Sequence, residues 1–416
     1  MKGQCIIRIL CVFAALASFL FLMPTQTVDA AKAAQWTVAF YMSSDNGLDS
    51  WAEKDVLELK DVGSTNDVNI ILYWDTDIGP GYMYKVYKDK LVELTDFEYD
   101  GVEPNMGDPT VLRSFVSYTF KKFPAENSAL VLWDHGDDFR GLMYDEHIPN
   151  QEFDLLSNHE VISALSGFKI ITMVYAACVM SQIDVAYEYA IGGLNVDYLV
   201  ATEGYDTMDS FPFDWVLFSL ASRPNMTPLE FSEMAVDQYI DFYTSVGKAY
   251  SQAATMSVIK VDTADELGDA VIQLSTRLGK GMPGYAPIIS SARGQANLPW
   301  SQNGWDRLAD LKSFLQSIRD QSLDPSAVTG IDPAIVASVV TAADTALAKM
   351  PQTVIHMKSL QAMDKHSVCG IGVFFPTSRN SFDNNKNLYG DSYAATAFAK
   401  AGWLDFLYAY WYARAK

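Results

Sequence analysis

Cysteine and histidine side chains follow two apolar runs of the chain, at the point where each run gives way to a turn. The run ALVLW (129–133) leads into His135, which stands among glycines and carboxylates in DHGDDFRG (134–141), and the run KIITMVYAA (169–177) leads into Cys178. A thiol that attacks a carbonyl carbon needs a base that later protonates the leaving amine, and imidazole suits this task near neutral pH. The pattern predicts acyl-transfer chemistry with Cys178 as nucleophile and His135 as acid and base.

The setting of Cys178 favours reactivity over a purely structural role. Cys178 opens the helical pattern CVMSQIDVAYEYAI (178–191), so its side chain is expected at or near a helix N-terminus. The helix dipole and the free backbone N–H groups there would lower the pKa of the thiol. The alternative is a buried, inert cysteine, which is a common fate for this residue. The backbone N–H groups of Gly136 and Cys178 are the expected oxyanion hole.

The remaining cysteine of the predicted mature chain, Cys369, precedes GIGVFFP inside an apolar run and is interpreted as structural. A disulfide between Cys178 and Cys369 is not expected, because it would consume the nucleophile.

Metal ligation is weakly indicated by the sequence. Three histidines recur every twelve residues: His135, His147 and His159. Neither HExxH nor CxxC spacing accompanies them, so a transition metal is not predicted. Four carboxylates of the same segment are of the type that binds calcium: Asp137, Asp138, Asp145 and Glu146. The EF-hand spacing is absent, and a solvated acidic loop explains them as well. The prediction is that no cofactor is required, with calcium as the open option.

Strand-like and helical patterns alternate over the first part of the chain. Apolar runs typical of buried strands lie at 36–42, 69–75, 128–133, 169–177 and 196–202. Such an alternation is typical of a parallel sheet covered by helices on both faces. Ligands and reactive groups of these sheets gather beyond the carboxyl ends of the strands, where His135 and Cys178 both lie.

The pattern weakens after about residue 250. Helices are predicted at 263–281, 308–318, 331–350 and 403–416, strands at 254–262 and 368–376, and an irregular loop at 284–305. The chain shows no internal repeat and no clear linker. We therefore expect a catalytic core over residues 31–250 and a C-terminal part, 251–416, that completes the same unit.

The N-terminus has the pattern of a secretory signal. Basic residues in MKGQCIIRIL are followed by 13 almost wholly apolar residues and by small residues near Ala30. We predict a signal peptide over residues 1–30 and export to the periplasm or the medium. An uncleaved membrane anchor is the alternative, but the run is short for a spanning helix, so no stable membrane insertion is expected after cleavage. The formal charge of -21 among 416 residues argues against a nucleic-acid partner.

Four blocks of the sequence resemble the clostripain family of cysteine peptidases, which belongs to the caspase-like clan. They are FYMSSDNGLD (40–49), NMGDPTVLRSF (105–115), LVLWDHGDDFRGLMYDE (130–146) and YAACVMSQIDVAYEYA (175–190). The resemblance implies a caspase-like α/β fold, with a mostly parallel sheet and helices on both faces. It also implies endopeptidase action on polypeptides through a Cys–His dyad, with His135 and Cys178 at the matching positions.

The chain departs from the family pattern at two positions near the expected site. Family members that cleave after arginine or lysine usually carry aspartate where this chain has Ala176. A basic P1 side chain needs a carboxylate partner, and Glu203 or Asp206 after the next strand is the candidate replacement. Asp138 stands where the second glycine of H-G-x-G is usual. These departures leave open a second interpretation, a binding protein on a peptidase fold. A third is an unrelated solute-binding or cell-surface protein, for which the order of the blocks would be accidental.

Overall fold

The structure is a computed structural model. Its strands lie largely on the apolar runs from which the sequence predicts them. It describes residues 33–148, 153–206, 211–246, 254–296, 298, 307–360, 368–385 and 393–415. The predicted signal peptide, residues 1–30, lies outside the described residues. The strands are β1 (Ala34–Ser44), β2 (Val68–Thr76), β3 (Tyr82–Tyr87), β4 (Lys90–Glu93), β5 (Ala125–Trp133), β6 (Leu142–Asp145), β7 (Asp154–Leu156), β8 (Ile170–Ala176), β9 (Val196–Ala201), β10 (Thr255–Lys260), β11 (Leu308–Asp310), β12 (Val354–Ser359) and β13 (Gly372–Phe374).

Nine of these strands form one sheet in the order β12-β10-β9-β8-β5-β1-β2-β3-β4. The five central strands, β9-β8-β5-β1-β2, run parallel, and antiparallel strands extend both edges. Two further pairs, β11 with β13 and β6 with β7, lie outside this sheet. The parallel centre confirms the predicted sheet, and it brings the carboxyl ends of five strands to one edge.

Helices cover both faces of the sheet, as the alternating pattern predicted. They are α1 (Asp49–Val62), α2 (Pro109–Lys122), α3 (Asn158–Leu165), α4 (Ile183–Ile191), α5 (Phe213–Ser222), α6 (Pro228–Val246), α7 (Ala264–Lys280), α8 (Ala286–Gln295), α9 (Leu311–Leu323), α10 (Pro333–Thr353), α11 (Arg379–Asn385) and α12 (Leu404–Arg414). Side chains of β1 alternate between the two layers, since Val38 and Phe40 pack with α1, α5 and α6 while Ala39 and Tyr41 pack in the opposite core. This period of two is what a strand buried on both faces requires.

The C-terminal part adds helices to the second of these cores. Residues Ala34–Lys416 form one compact unit. The loop predicted at 284–305 is wrong in its first half, where α8 forms and packs against α9. A proline in the first turn of α8 fits a helix start, because its missing N–H would have no partner there.

Helix α10 is long and apolar enough to cross a membrane, by length and composition alone. Its buried residues recur every three or four positions: Val339, Ala343, Ala346 and Met350. This spacing forms one face of a helix, and α10 packs against α7 and α9 of the same unit. The remaining positions of α10 are largely exposed or half-buried.

Candidate active site

Strand pairing places His135 and Cys178 side by side at the carboxyl edge of the sheet. In the parallel pair β5 and β8, Trp133 lies opposite Ala176, and the Asp134 N–H donates to the Ala176 carbonyl at 3.2 Å. His135 and Cys178 each follow this last pair by two residues. The register of the two strands therefore brings the turns that carry them next to each other.

Gly136 fits the narrow space between the two turns. A methyl carbon added at Gly136 would lie 2.3 Å from the Cys178 carbonyl oxygen and 3.1 Å from the side-chain carbons of Ala177 and Met180. Only a residue without a side chain allows this approach. Among the described residues, neither the Gly136 N–H nor the Cys178 N–H has a hydrogen-bond partner, so both are available to a substrate oxygen.

The turn after Cys178 is held by the segment that follows β9. The Val179 N–H donates to the Gly204 carbonyl at 2.6 Å, and the Ser181 N–H donates to the Thr202 carbonyl at 2.9 Å. Val179 has a φ of 53°, which is uncommon for a β-branched residue. Helix α4 accordingly begins at Ile183, so the expectation that Cys178 lies at a helix N-terminus is wrong.

The expected lowering of the thiol pKa is also wrong. Cys178 is half-buried, and its Sγ accepts a hydrogen bond from the Asp206 N–H at 3.3 Å. Burial, with the negative charge of Asp206 as the next cause, raises the pKa of Cys178 to about 12. Because no helix dipole offsets these effects, the resting thiol carries its proton at neutral pH.

The His135 ring reaches solvent beside the ring of Tyr144, with the ring centroids 5.7 Å apart and an interplanar angle of 74°. Desolvation by the surrounding loops lowers the pKa of His135, while Glu146 and Asp137 act in the opposite direction. The imidazole is therefore neutral near pH 7. Among the described residues, no direct hydrogen bond joins the His135 ring to the Cys178 thiol, whose Sγ accepts from the Asp206 N–H instead.

A buried ionic network fixes the loop that follows His135. Arg307 donates from Nε to Asp138 at 2.9 Å and from Nη2 to Asp137, which also accepts from Arg140. All four side chains are buried, and Asn158 donates to the Asp138 carbonyl at 2.9 Å. Asp138 has a φ of 53°, a left-handed conformation that aspartate tolerates better than most residues. The aspartate thus keeps the turn that the second glycine of H-G-x-G would favour.

Arg307 is a site residue that the sequence interpretation missed. It lies 169 residues from Asp138 along the chain, next to β11, and no local motif marks it. The available signal was the adjacent pair Asp137 and Asp138, because aspartates that are buried need a cation beside them.

The three residues expected to line the substrate pocket have different settings. Ala176 ends β8 and is buried. Glu203 is fully buried, its Oε1 accepts from the Gly370 N–H at 3.1 Å, and it lies beside Asp310 and Cys369. Burial, together with the charge of Asp310, raises the pKa of Glu203 well above its ordinary value. This placement argues against Glu203 as an acid that meets a substrate side chain.

Asp206, the other candidate acid, lies next to Cys178. It is half-buried beside the Cys178 thiol, and its Oδ1 accepts a hydrogen bond from the Tyr239 hydroxyl at 2.7 Å. The carboxylate is therefore held by Tyr239 while remaining partly accessible. Of the two candidate acids, Glu203 is fully buried and Asp206 is not.

The histidines and carboxylates that were considered as metal ligands do not converge as a set. Asp137 and Asp138 are paired with arginines, whereas the His147 ring contacts Asp45 near the ends of β1 and β2. Among the groups of described residues whose ligand atoms lie close enough to share a metal ion, none contains two histidines. Both cysteines of the described chain are free thiols, in agreement with the predicted absence of a disulfide.

Comparison with known proteins identifies one protein family over nearly the whole chain. The model of the clostripain family matches residues 40–411. Clostripain from Hathewaya histolytica is 26% identical over 217 residues, which are 43% of this chain and 40% of that protein. The match therefore covers less than half the length of this relative.

Two solved structures that share this fold are proteases, and their sequence identity to this chain is low. An inactive zymogen C11 protease from Parabacteroides distasonis is 16% identical, with a TM-score of 0.60 over 89% of this chain and 99% of its own. A secreted C11 cysteine protease from Bacteroides thetaiotaomicron, in complex with an irreversible peptide inhibitor, is 15% identical, with a TM-score of 0.59 over 91% and 99%. They confirm the caspase-like α/β fold that the four sequence blocks implied. With the family model spanning most of its length, the chain belongs to the clostripain family of cysteine peptidases.

Proposed function

We propose that the chain is an exported cysteine endopeptidase that cleaves polypeptides through a thioacyl intermediate on Cys178. The observation that carries the proposal is the juxtaposition of His135 and Cys178 at the ends of the paired strands β5 and β8. Family membership supports it, as does the irreversible peptide inhibitor in the secreted Bacteroides relative. The predicted signal peptide, residues 1–30, supports export, to the periplasm or the medium.

Proton transfer accompanies the attack, because the resting thiol and imidazole are both neutral. The Cys178 Sγ bonds to the substrate carbonyl carbon while its proton passes to His135. The carbonyl oxygen becomes an oxyanion that accepts from the N–H groups of Gly136 and Cys178. The intermediate collapses as the amide C–N bond breaks and His135 returns the proton to the leaving amine.

Hydrolysis of the thioester then restores the enzyme. His135 takes a proton from a water molecule, which attacks the acyl carbon. The C–S bond breaks, the thiol of Cys178 regains its proton, and the second product leaves as a carboxylic acid. These steps use only groups of the chain and water.

Asp206 is our candidate for the acid that recognises a basic P1 side chain. A partly desolvated carboxylate that binds arginine or lysine contributes about 1.5–3 kcal/mol, which is about 10- to 100-fold in kcat/KM. Asp206 would take over the role of the aspartate that family members carry at the position of Ala176. Its carboxylate also raises the Cys178 pKa, so a cationic side chain bound there would lower that pKa and activate the thiol when the substrate arrives.

The test is cleavage of a peptide library with varied P1 residues by the chain from Ala31 onward. We expect cleavage after arginine or lysine that disappears in Cys178→Ala and weakens by about 10- to 100-fold in Asp206→Asn. Asp241→Asn, on the exposed side of α6 two residues from Tyr239, is the matched control and should cleave normally. Equal cleavage by the Asp206 variant would refute its role in specificity.

A binding protein on the peptidase fold is the second candidate. It is favoured by the raised thiol pKa and by Ala176 at the usual specificity position. Peptides that bind without being cleaved by the intact chain would support it, and Cys178-dependent turnover would exclude it.

A further inference from the structure

Hydrogen bonds between buried side chains connect β8, the strand that leads to the nucleophile, with the loop that follows His135. The hydroxyls of Tyr175 and Tyr189 bond to each other, and the Tyr189 hydroxyl donates to Asn158 Oδ1 at 2.7 Å. The Nδ2 atom of Asn158 donates to the backbone carbonyl of Asp138, three residues after the histidine, at 2.9 Å. All four side chains are buried. The side chain of Asn158 therefore joins the histidine loop to groups packed on β8.

The direction of each of these hydrogen bonds is fixed by the Asp138 carbonyl. A carbonyl oxygen can only accept, so the amide nitrogen of Asn158 must face it and the amide oxygen must face Tyr189. The Tyr189 hydroxyl then donates to Asn158 and accepts from Tyr175. An amide turned by 180° would set two acceptor oxygens against each other. One orientation of Asn158 is thus compatible with all its partners, and hydrogen bonds in such a series strengthen one another.

The backbone that carries these side chains is itself well fixed. Tyr175 lies on β8, inside the sheet between β5 and β9, and Tyr189 lies on α4. Asn158 is the first residue of α3, which begins with a capping box: the Ser157 side chain accepts from the Glu160 N–H, and the Glu160 side chain accepts from the Ser157 N–H. Asn158 therefore has little freedom to follow the loop if the loop moves.

The His135 ring depends on this loop for its position. Among the described residues, no hydrogen bond is made to the ring, which lies edge-on to the ring of Tyr144. Arg307 holds the carboxylate of Asp138 from the C-terminal part of the chain, whereas Asn158 holds its carbonyl from the side of β8. Without the contact to Asn158, the carbonyl and the turn before it could shift relative to β8, and the imidazole would shift with them.

We propose that Asn158 is a positioning residue for the catalytic histidine and cysteine. The hydroxyls of Tyr175 and Tyr189 orient its amide. Asn158 does not touch the reacting atoms, and it acts by fixing the loop that carries the imidazole relative to the strand that leads to the thiol. This inference rests on the proposed function, since it assigns a role within peptide hydrolysis. A displacement of about 1 Å between reacting groups lowers the rate on the order of 100-fold, so the loss of one buried contact is sufficient for a measurable effect.

The experiment measures steady-state peptide hydrolysis by the chain from Ala31 onward and by its variants Asn158→Ala and Tyr189→Phe. We expect kcat to fall by about 10- to 100-fold in Asn158→Ala. In Tyr189→Phe, which keeps the ring and loses the hydrogen bond that orients the amide, kcat should fall by up to about 10-fold. KM should stay unchanged in both, as it does when only the transition state is affected. Tyr285→Phe is the matched control, because this buried hydroxyl bonds to Ser322 at 3.2 Å in the C-terminal part, and its kcat should be that of the wild type.

Hydrogen exchange of the segment 134–141 tests the same contact without the use of catalysis. Hydrogen bonds protect the N–H groups of Asp134 and Asp137 in this segment. If Asn158 holds the loop, the segment should exchange up to about 10-fold faster in both variants, which corresponds to the loss of one hydrogen bond. Tyr285→Phe should leave this exchange unchanged. The Tyr189 variant keeps the test valid if the alanine variant does not fold.

A lower kcat together with faster exchange of the loop supports the proposal. Unchanged exchange in both variants would overturn it, and so would faster exchange with an unchanged kcat, which would mean that the amide of Asn158 contributes to stability alone. A rise of KM with an unchanged kcat would place the effect on substrate binding and would also overturn it. A wild type that cleaves no peptide would refute the proposed function and the catalytic role of Asn158 with it, whereas an active wild type with equally active variants would refute the positioning role alone.

Discussion

Replacing Gly136 by alanine tests whether the contact between the histidine and cysteine turns aligns the reacting groups. The added methyl carbon would lie 2.3 Å from the Cys178 carbonyl oxygen, whereas ordinary contact begins at about 3.4 Å. The two turns must therefore separate by about 1.1 Å. The φ of Gly136 is outside the left-handed region, so alanine brings no backbone strain of its own and the effect arises from this overlap.

A displacement of about 1 Å of reacting groups costs on the order of 100-fold in rate. We expect the kcat/KM of Gly136→Ala to fall by about that factor, equivalent to about 2.7 kcal/mol of transition-state stabilisation. The assay is hydrolysis of a fluorogenic peptide selected from the library, with Tm measured in parallel so that unfolding is not mistaken for misalignment.

Gly47→Ala is the matched control, because a methyl carbon at Gly47 has no atom within 4 Å. It should change neither rate nor Tm appreciably. If Gly136→Ala were as active as the wild type, the close approach of the two turns would not align the site and our account of the geometry would be wrong.

Three further predictions follow from the electrostatics. The rate of Cys178 alkylation by iodoacetamide should rise about tenfold per pH unit from pH 7 to 10, because its pKa is about 12; a plateau near pH 8 would contradict this. Arg307→Met leaves the buried Asp138 without its ion-pair partner and Asp137 with Arg140 alone, and it should lower the free energy of unfolding by about 3–5 kcal/mol. Arg319→Met, at a partly exposed ion pair, should cost less than about 1 kcal/mol. Burial and the charge of Asp55 raise the pKa of Glu58 to about 8 in the folded state. Between about pH 5 and 8 the folded chain therefore holds a proton that the unfolded chain has lost. The free energy of unfolding should fall as the pH rises through this range, by up to about 1.4 kcal/mol per pH unit. Glu58→Gln should remove that part of the slope in denaturant titrations, and an unchanged slope would refute the assignment.

The sequence was sufficient to predict the parallel sheet and the two strand ends that carry His135 and Cys178. Both strands are continuous apolar runs bounded by turns, and parallel strands bring their carboxyl ends to one edge. The family blocks agree with this order, so fold and family were accessible from sequence.

Contacts between distant segments could not be predicted in this way. The turn after Cys178 looks helical in sequence, but hydrogen bonds to Thr202 and Gly204 occupy its N–H groups and delay the helix to Ile183. The burial of Glu203 depends on its packing against Asp310 and Cys369 in the C-terminal part. Hydrophobic periodicity carries no information about such partners.

The most direct test of the account is intact-mass spectrometry after incubation with an irreversible, thiol-reactive peptide inhibitor that carries a basic P1 residue. We predict one covalent adduct, mapped to Cys178, that forms much more slowly in His135→Ala. An adduct on Cys369, or no adduct with an inhibitor of any P1 type, would contradict a Cys178–His135 catalytic pair.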